Sequence, residues 1–264
     1  MKTFGKPSDA ISWSKERLFN EGYSVKTEKW QGVPSPDDMW EVMNHSFQMI
    51  IPHGISELTE EVRPNLPWAE NHFYERVGRI PVNPPPSHEE WPFAQKKNEQ
   101  FGGREIFSHS YPERIWSKYA PLNPQSQRPN KKIKKGIRFE YGDLSDVVDL
   151  LEKEPYTRQA FLPIWFPEDT GVVHGQRVPC TIGYHFMRRE NFFHMSYFIR
   201  SCDIIRHFRD DIYLAIRKMY WILDQLKRRN PDNWKHVSPG YYSMHIISLH
   251  CFNSEKNILR QKNI

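Results

Sequence analysis

Cysteine is scarce in this chain of 264 residues: Cys180, Cys202 and Cys251 are the only three, and their spacing matches no zinc site. That scarcity speaks against a structural metal and a disulfide scaffold, and it fits a reducing compartment. No apolar run approaches the length of a bilayer span. The opening Met1-Lys2-Thr3-Phe4-Gly5-Lys6 lacks the apolar core of a secretory signal. The expectation is a cytoplasmic protein with no membrane partner and no metal. Acidic residues fall short of basic ones, 32 against 37, a net charge of +5 that suits an anionic ligand, small or polymeric, without choosing between them. What the chain does have is 38% hydrophobic residues and 14% aromatics, including nine tryptophans, which excludes disorder. Its length supports one substantial core, so residues 1–264 are expected to form one domain.

Pro7-Ser8-Asp9 opens a predicted helix that runs to Asn20 and is closed by Gly22. A short strand from Tyr23 to Lys26 follows. Residues Asp37 to Ser46 and Pro67 to Arg76 read as two more helices. The stretch from Pro81 to Pro92, with Pro84-Pro85-Pro86, excludes regular helix. Pro121 to Lys135 is the least globular stretch and reads as an inserted loop near 121–135, since motifs lie on both sides. Its Lys131, Lys132, Lys134 and Lys135 form either a solvated charge run or a patch for a polyanion. Leu144 to Glu154 is a short amphipathic helix and Ala160 to Trp165 a strand. The strongest helix spans Asp211 to Arg229, where Ile212, Ile216, Met219, Tyr220, Leu223 and Leu226 recur at helical spacing before Asn230-Pro231. Tyr241 to Phe252 closes the series as a strand.

The chemistry concentrates between Val178 and Asp211. Cys180 follows Pro179, which pins the backbone at a strand entrance. Two runs rich in aromatic and β-branched residues, Thr181 to Met187 and Phe193 to Arg200, are separated by Arg188-Arg189-Glu190-Asn191, the punctuation of a hairpin. Such a hairpin brings Cys180 and Arg200 to one end of a sheet. A thiol beside cations is expected to have a depressed pKa and to act as a nucleophile.

Pro179-Cys180, the interval to Arg200, and Arg200-Ser201-Cys202-Asp203 resemble the thymidylate synthase superfamily. The resemblance covers the chain from about Pro67 onward. It implies an α/β (α+β) fold with a large mixed sheet flanked by helices, dimerising through that sheet. It also implies that Cys180 attacks C6 of a pyrimidine nucleoside monophosphate, that Arg200 and Ser201 hold the phosphate, and that Asp203 orients a reduced folate, 5,10-methylenetetrahydrofolate. Where that family has an asparagine that reads uracil, this chain has Asp211, within Phe208-Arg209-Asp210-Asp211-Ile212-Tyr213. A carboxylate only accepts hydrogen bonds, which suits the amine of cytosine. This context is similar to the phage deoxycytidylate hydroxymethylase branch and implies conversion of dCMP to 5-hydroxymethyl-dCMP, in a virus that modifies its DNA or in a nucleoside-antibiotic pathway.

Further positions carry over one at a time. Glu70, in Glu70-Asn71-His72-Phe73-Tyr74, matches a catalytic glutamate, and Tyr111 a tyrosine beside the nucleophile. Trp91 falls where the family lines the folate site, and Lys29, or Lys26, where a basic loop meets the phosphate. Arg158 matches an arginine that reaches the partner's site in the homodimer, but Gln159 replaces the next one, which shifts phosphate binding toward Arg177 or Arg209. His245 matches a sugar-binding histidine, whereas Ile247 stands where its tyrosine would be, and His207 replaces a glycine. These departures keep two alternatives open: methylation or hydroxymethylation of dUMP, or hydroxymethylation of CMP, and a non-catalytic homologue that binds nucleotide or RNA.

Overall fold

The structure, a computed structural model, describes residues 1–30, 33–94, 107–118, 120, 142–169 and 177–261. The predicted basic loop near 121–135 lies outside the described residues.

The longest strands are β5 (Met39–Ile50), β7 (Thr181–Arg189), β8 (Phe192–Asp203) and β9 (Ser238–Phe252). With β1 (Lys2–Phe4), β2 (Tyr23–Val25) and β6 (Phe161–Pro163) they build a seven-stranded sheet among the described residues, in the order β1-β5-β9-β8-β7-β6 with β2 also on β5. The sheet is mixed. β8 runs parallel to β9, while β5 pairs antiparallel with β9 and β7 antiparallel with β8. A two-stranded hairpin, β3 (Lys29–Trp30) and β4 (Val33–Pro34), stands apart.

Helix α1 (Pro7–Glu21) begins with Pro at its first turn, where a missing N–H costs nothing. It ends against Gly22, where a Cβ would sit 2.4 Å from the Trp40 indole nitrogen. Short helices α2 (Ile55–Val62), α3 (Trp68–Val77), α4 (Tyr111–Ile115) and α5 (Leu144–Lys153) follow. The 3-10 turn Pro86–Glu90 is the only regular piece of the proline-rich stretch. Helix α6 (Phe208–Arg229) runs on from β8 and α7 (Pro231–Trp234) closes it off. Tyr220 of α6 is half-buried, while Ile212, Ile216, Met219, Leu223 and Leu226 are buried, as the helical spacing implied. Each such side chain contributes roughly 1.5–3 kcal/mol by leaving water.

Residues Asp37 to Ser46 are a correction: they belong to strand β5 and to the turn before it, not to a helix. His45, Phe47 and Met49 are buried at alternate positions, the period of a strand, and β5 is paired on both sides. Pairing with strands on both sides overrides the helical reading. Asn44 takes φ 51°, a left-handed conformation that asparagine tolerates, and the β5–β9 register skips it.

The two sheet faces differ. One carries Tyr197, Ile199, Met244 and Ile246 under the helices. The other leaves Phe192, Tyr241 and Ile247 exposed, with Phe198 and His245 stacked at 4.9 Å. No described helix is long and apolar enough to cross a membrane.

Candidate active site

The β7–β8 hairpin forms as its punctuation implied, and the Arg200 N–H donates to the Cys180 carbonyl at 2.9 Å. Gly183 permits this edge to close, since a Cβ there would sit 2.7 Å from the Leu162 carbonyl oxygen of β6. Cys180 opens onto a cavity of about 180 Å³. Tyr111, Arg177, Ser201 and Asp211 line it with Cys180. Trp68, His72 and Arg76 of α3, and Trp91, His109 and His207, form other parts of its wall.

Asp211 stands in the first turn of α6, its carboxyl approached by the Tyr197 hydroxyl at 3.4 Å and the Cys202 thiol at 3.5 Å. Burial pushes its pKa up to about 7, opposed by the nearby Arg76 and reinforced by the Asp210 charge. Asp210 itself accepts from the backbone and side-chain N–H groups of Asn65, at 2.8 and 2.7 Å.

The expected low pKa of Cys180 is corrected by the structure. Burial pushes the thiol above its ordinary value, and the Arg200 and Arg177 charges only partly offset burial and the Asp211 carboxylate. The Arg200 guanidinium is 3.9 Å from the sulfur, but it is held by the Pro179 and Val178 carbonyls at 2.9 and 3.1 Å. Arg200 therefore braces the loop that presents Cys180, while Arg177 and Ser201 face the cavity.

Asp203 is placed outside the cavity wall. One of its oxygens accepts the Ile205 and Arg206 N–H groups, at 2.9 and 3.0 Å, and the other accepts the Arg206 guanidinium at 2.9 Å. Arg206 also pairs with Glu255 and lies over the Phe252 and Trp30 rings. Glu70 is likewise turned away. Its carboxylate accepts from the Tyr213 hydroxyl at 2.9 Å and pairs with Arg217. The face of α3 toward the cavity is Trp68, His72 and Arg76, one residue per turn, and Glu70 points the other way.

Lys29 and Arg158 are exposed, and neither lines the cavity. His245 belongs to the open sheet face, stacked on Phe198.

Trp91 does line the cavity, stacked on His207 at 4.6 Å. Trp68 stacks on His72 at 5.1 Å and lies 5.9 Å from Trp91, so four rings form one wall. This wall is aromatic, whereas the carboxylate of Asp203 is committed to Arg206.

Arg76, His72 and His109 were not singled out from the sequence. His72 Nδ1 donates to Glu75 at 2.8 Å, and burial brings its pKa down to about 4, so it is a neutral ring. His109 Nδ1 meets the Arg177 carbonyl at 3.3 Å, and burial holds its pKa well below the usual histidine range. Their signal was present only as the four-residue spacing of Trp68, His72 and Arg76 and as His109 two residues before Tyr111. Among the described residues no group of three or more His, Cys, Asp or Glu side chains is arranged to hold a metal ion.

No protein-family model matches the chain, and no curated protein matches it. Among solved structures, the fold is similar to that of thermostable thymidylate synthase A from Bacillus subtilis, with a TM-score of 0.62 and 14% identity, over 97% of this chain and 83% of that one. The likeness is one of fold: a large mixed sheet flanked by helices.

Proposed function

We propose that this chain is a one-carbon transferase acting at C5 of a pyrimidine nucleoside monophosphate, with dCMP as substrate and 5-hydroxymethyl-dCMP as product. One observation carries the reading: a thiol, a carboxyl whose pKa burial raises to about 7, a guanidinium and a hydroxyl, those of Cys180, Asp211, Arg177 and Ser201, line one cavity. The fold likeness to a thymidylate synthase supports the reaction class.

Arg177 and Ser201 receive the phosphate, by charge and by hydroxyl donation. The Cys180 thiol gives its proton to water and the thiolate adds to C6 of the base, which makes C5 nucleophilic, a covalent route that divides one hard step into two. As the sulfur bonds to C6, cytosine N3 must gain a proton, whereas uracil N3 already carries one. Protonated Asp211 supplies it and its carbonyl oxygen accepts from the N4 amine. The acid form matters here: the carboxylate considered from sequence alone only accepts, but an acid with a pKa near 7 does both. Loss of the Asp211 charge also removes one of the influences holding the Cys180 thiol protonated. When bound, 5,10-methylenetetrahydrofolate supplies the one-carbon unit. Trp91 and Trp68 would hold its ring, and Asp203 and Glu70 are assigned no part in this reading.

Mass spectrometry of products from dCMP, CMP and dUMP, each with methylenetetrahydrofolate, tests the assignment. A hydroxymethyl product from dCMP alone is expected. Product from dUMP alone would move the substrate to the alternative nucleotide, and no product from any would favour a nucleotide-binding homologue.

We also propose a homodimer through the open sheet face, supported by the exposure of Phe192, Tyr241 and Ile247 there and by exposed Arg158 beside β6. Phe198→Asp is expected to yield monomers in sedimentation. A monomeric wild-type protein would contradict this arrangement.

A further inference from the structure

A row of hydroxyl groups runs behind the cavity. The Tyr197 hydroxyl lies 3.4 Å from an Asp211 oxygen and 2.8 Å from Thr181 Oγ1, and Thr181 Oγ1 lies 3.1 Å from the Tyr111 hydroxyl. Its two ends, Asp211 and Tyr111, line the cavity with Cys180, and its two middle members do not. Thr181 is 0% and Tyr197 1% exposed, so the middle of the row is shut off from water.

We propose that Asp211, Tyr197, Thr181 and Tyr111 form an internal proton relay that joins two sides of the bound pyrimidine. The inference rests on the C5 chemistry proposed above and assigns Tyr197 and Thr181 a part in it. Neither touches substrate, so they are positioning residues that act through Asp211 and Tyr111.

A hydroxyl donates one proton and accepts at its lone pairs, so the row has two coherent orientations. In the structure Tyr197 donates to Asp211 and Thr181 donates to Tyr111; with Asp211 ionised the row is completed when Thr181 turns its hydroxyl to Tyr197 and Tyr111 donates to Thr181. With Asp211 protonated, every bond reverses and the Tyr111 hydroxyl points into the cavity. A proton entering at Tyr111 carries the row from the first orientation to the second, and after Asp211 has given up its proton the hydroxyls turn back, without creating a charged tyrosine. The alternative, a stepwise tyrosinate, is opposed by burial, which raises both phenols above their ordinary pKa.

The relay closes the proton balance of the covalent route. As Cys180 sulfur bonds to C6, the C5=C6 electron pair moves toward C4 and N3, and N3 takes the Asp211 proton. When C5 later releases its proton, that proton enters at Tyr111 and passes through Thr181 and Tyr197 to restore Asp211. The C6–S bond then breaks and returns its electron pair to sulfur, and N3 gives its added proton to water. Around the carboxyl, Arg76, Asp210, Cys202 and Lys218 adjust its charge; Tyr197 links it to the Tyr111 end through Thr181, and the Tyr184 hydroxyl bonds to both Thr181 and Tyr197.

Exchange of the C5 hydrogen of dCMP for deuterium needs no second substrate and reports these steps directly by proton NMR. Tyr197→Phe keeps the ring that stacks on Tyr184 at 4.7 Å and removes the hydroxyl. It is expected to slow exchange by about 100-fold, the usual scale of general acid–base assistance, with dCMP affinity unchanged. Thr181→Val is expected to lose as much, and Thr181→Ser, which restores the hydroxyl, to recover it. A purely structural role for Thr181 predicts no difference between Val and Ser.

The Asp211 carboxyl titration, followed by infrared difference spectroscopy without nucleotide, is the independent readout. Its midpoint is expected to rise in Tyr197→Phe, because a donor to the carboxylate is lost. Exchange at the wild-type rate in Tyr197→Phe would overturn the relay while leaving the C5 chemistry in place. A wild-type protein that exchanges no pyrimidine nucleotide would overturn the C5 chemistry and the catalytic part of the relay together. An unmoved Asp211 midpoint in Tyr197→Phe would overturn the hydrogen-bonded row itself.

Discussion

Asp203 and Asp211 leave the same strand-to-helix junction and meet opposite surroundings. At the rim, both oxygens of Asp203 are saturated by backbone N–H groups and by Arg206, which extends the bracket to Glu255 near the end of the chain. On the cavity floor, Asp211 has only a hydroxyl at 3.4 Å and a thiol at 3.5 Å, and burial brings its pKa to about 7. One carboxylate is spent on holding the fold, and the other keeps a proton to exchange. Residue type and spacing placed both acids near the site, and their neighbours decided which one does chemistry.

Breaking the rim should give the largest change in stability. Arg206→Ala leaves Asp203 and Glu255 without their shared cation, and urea unfolding is expected to show a loss of about 3 kcal/mol. C5 exchange should stay within about threefold of wild type once the protein is folded, because a rim bracket does not touch the base. A collapse of exchange in a folded variant would return Asp203 to the reaction.

The cavity floor should respond in the other direction, and with pH. The folded pKa of Asp211 lies above its unfolded value of about 3.9, so the native state holds a proton that the unfolded chain releases. This contribution is fully present below about pH 4 and is lost as pH rises through about 7. Asp211→Asn removes the cost of the buried charge. It should therefore be more stable than wild type at pH 8, by about 2 kcal/mol, and near parity at pH 4. Chemical denaturation at the two pH values checks this, and equal differences at both would refute it.

Lys218 gives the smallest and sharpest contrast. Arg206 answers Asp203 by direct contact, whereas Lys218, buried on the helix that carries Asp211, has no hydrogen-bond partner among the described residues and sits 3.3 Å above the Tyr184 ring. Burial holds its pKa well below the usual lysine range. Lys218→Met is expected to stabilise the fold by about 1 kcal/mol in the same unfolding assay. A destabilised Lys218→Met would show that the amine supports the carboxyl after all.

Much of the scaffold was legible in the sequence because it obeys local rules. Proline and glycine marked the ends of α1, helical spacing marked α6, and four polar residues marked the β7–β8 turn that pairs Cys180 with Arg200. Strand β5 was not legible, since its alternation is masked by polar residues and confirmed only by the strands on either side. The site was legible as a set of residue types and less so as a set of roles. Which face of α3 meets the cavity is a tertiary choice, and it took Trp68, His72 and Arg76 in place of Glu70. Arg200 lies beside Cys180 as spacing implied, yet two carbonyls claim its guanidinium. The thiol pKa depends on burial, which no run of neighbours along the chain reports.

The most direct test of the central claim is deuterium exchange at C5 of dCMP by the wild-type protein and by Cys180→Ala. Covalent addition to C6 requires steady loss of the C5 proton signal with wild type, and a fall of about a thousandfold or more without the sulfur. Exchange that persists at the wild-type rate in Cys180→Ala, or no exchange by wild type with dCMP, CMP or dUMP, would contradict it.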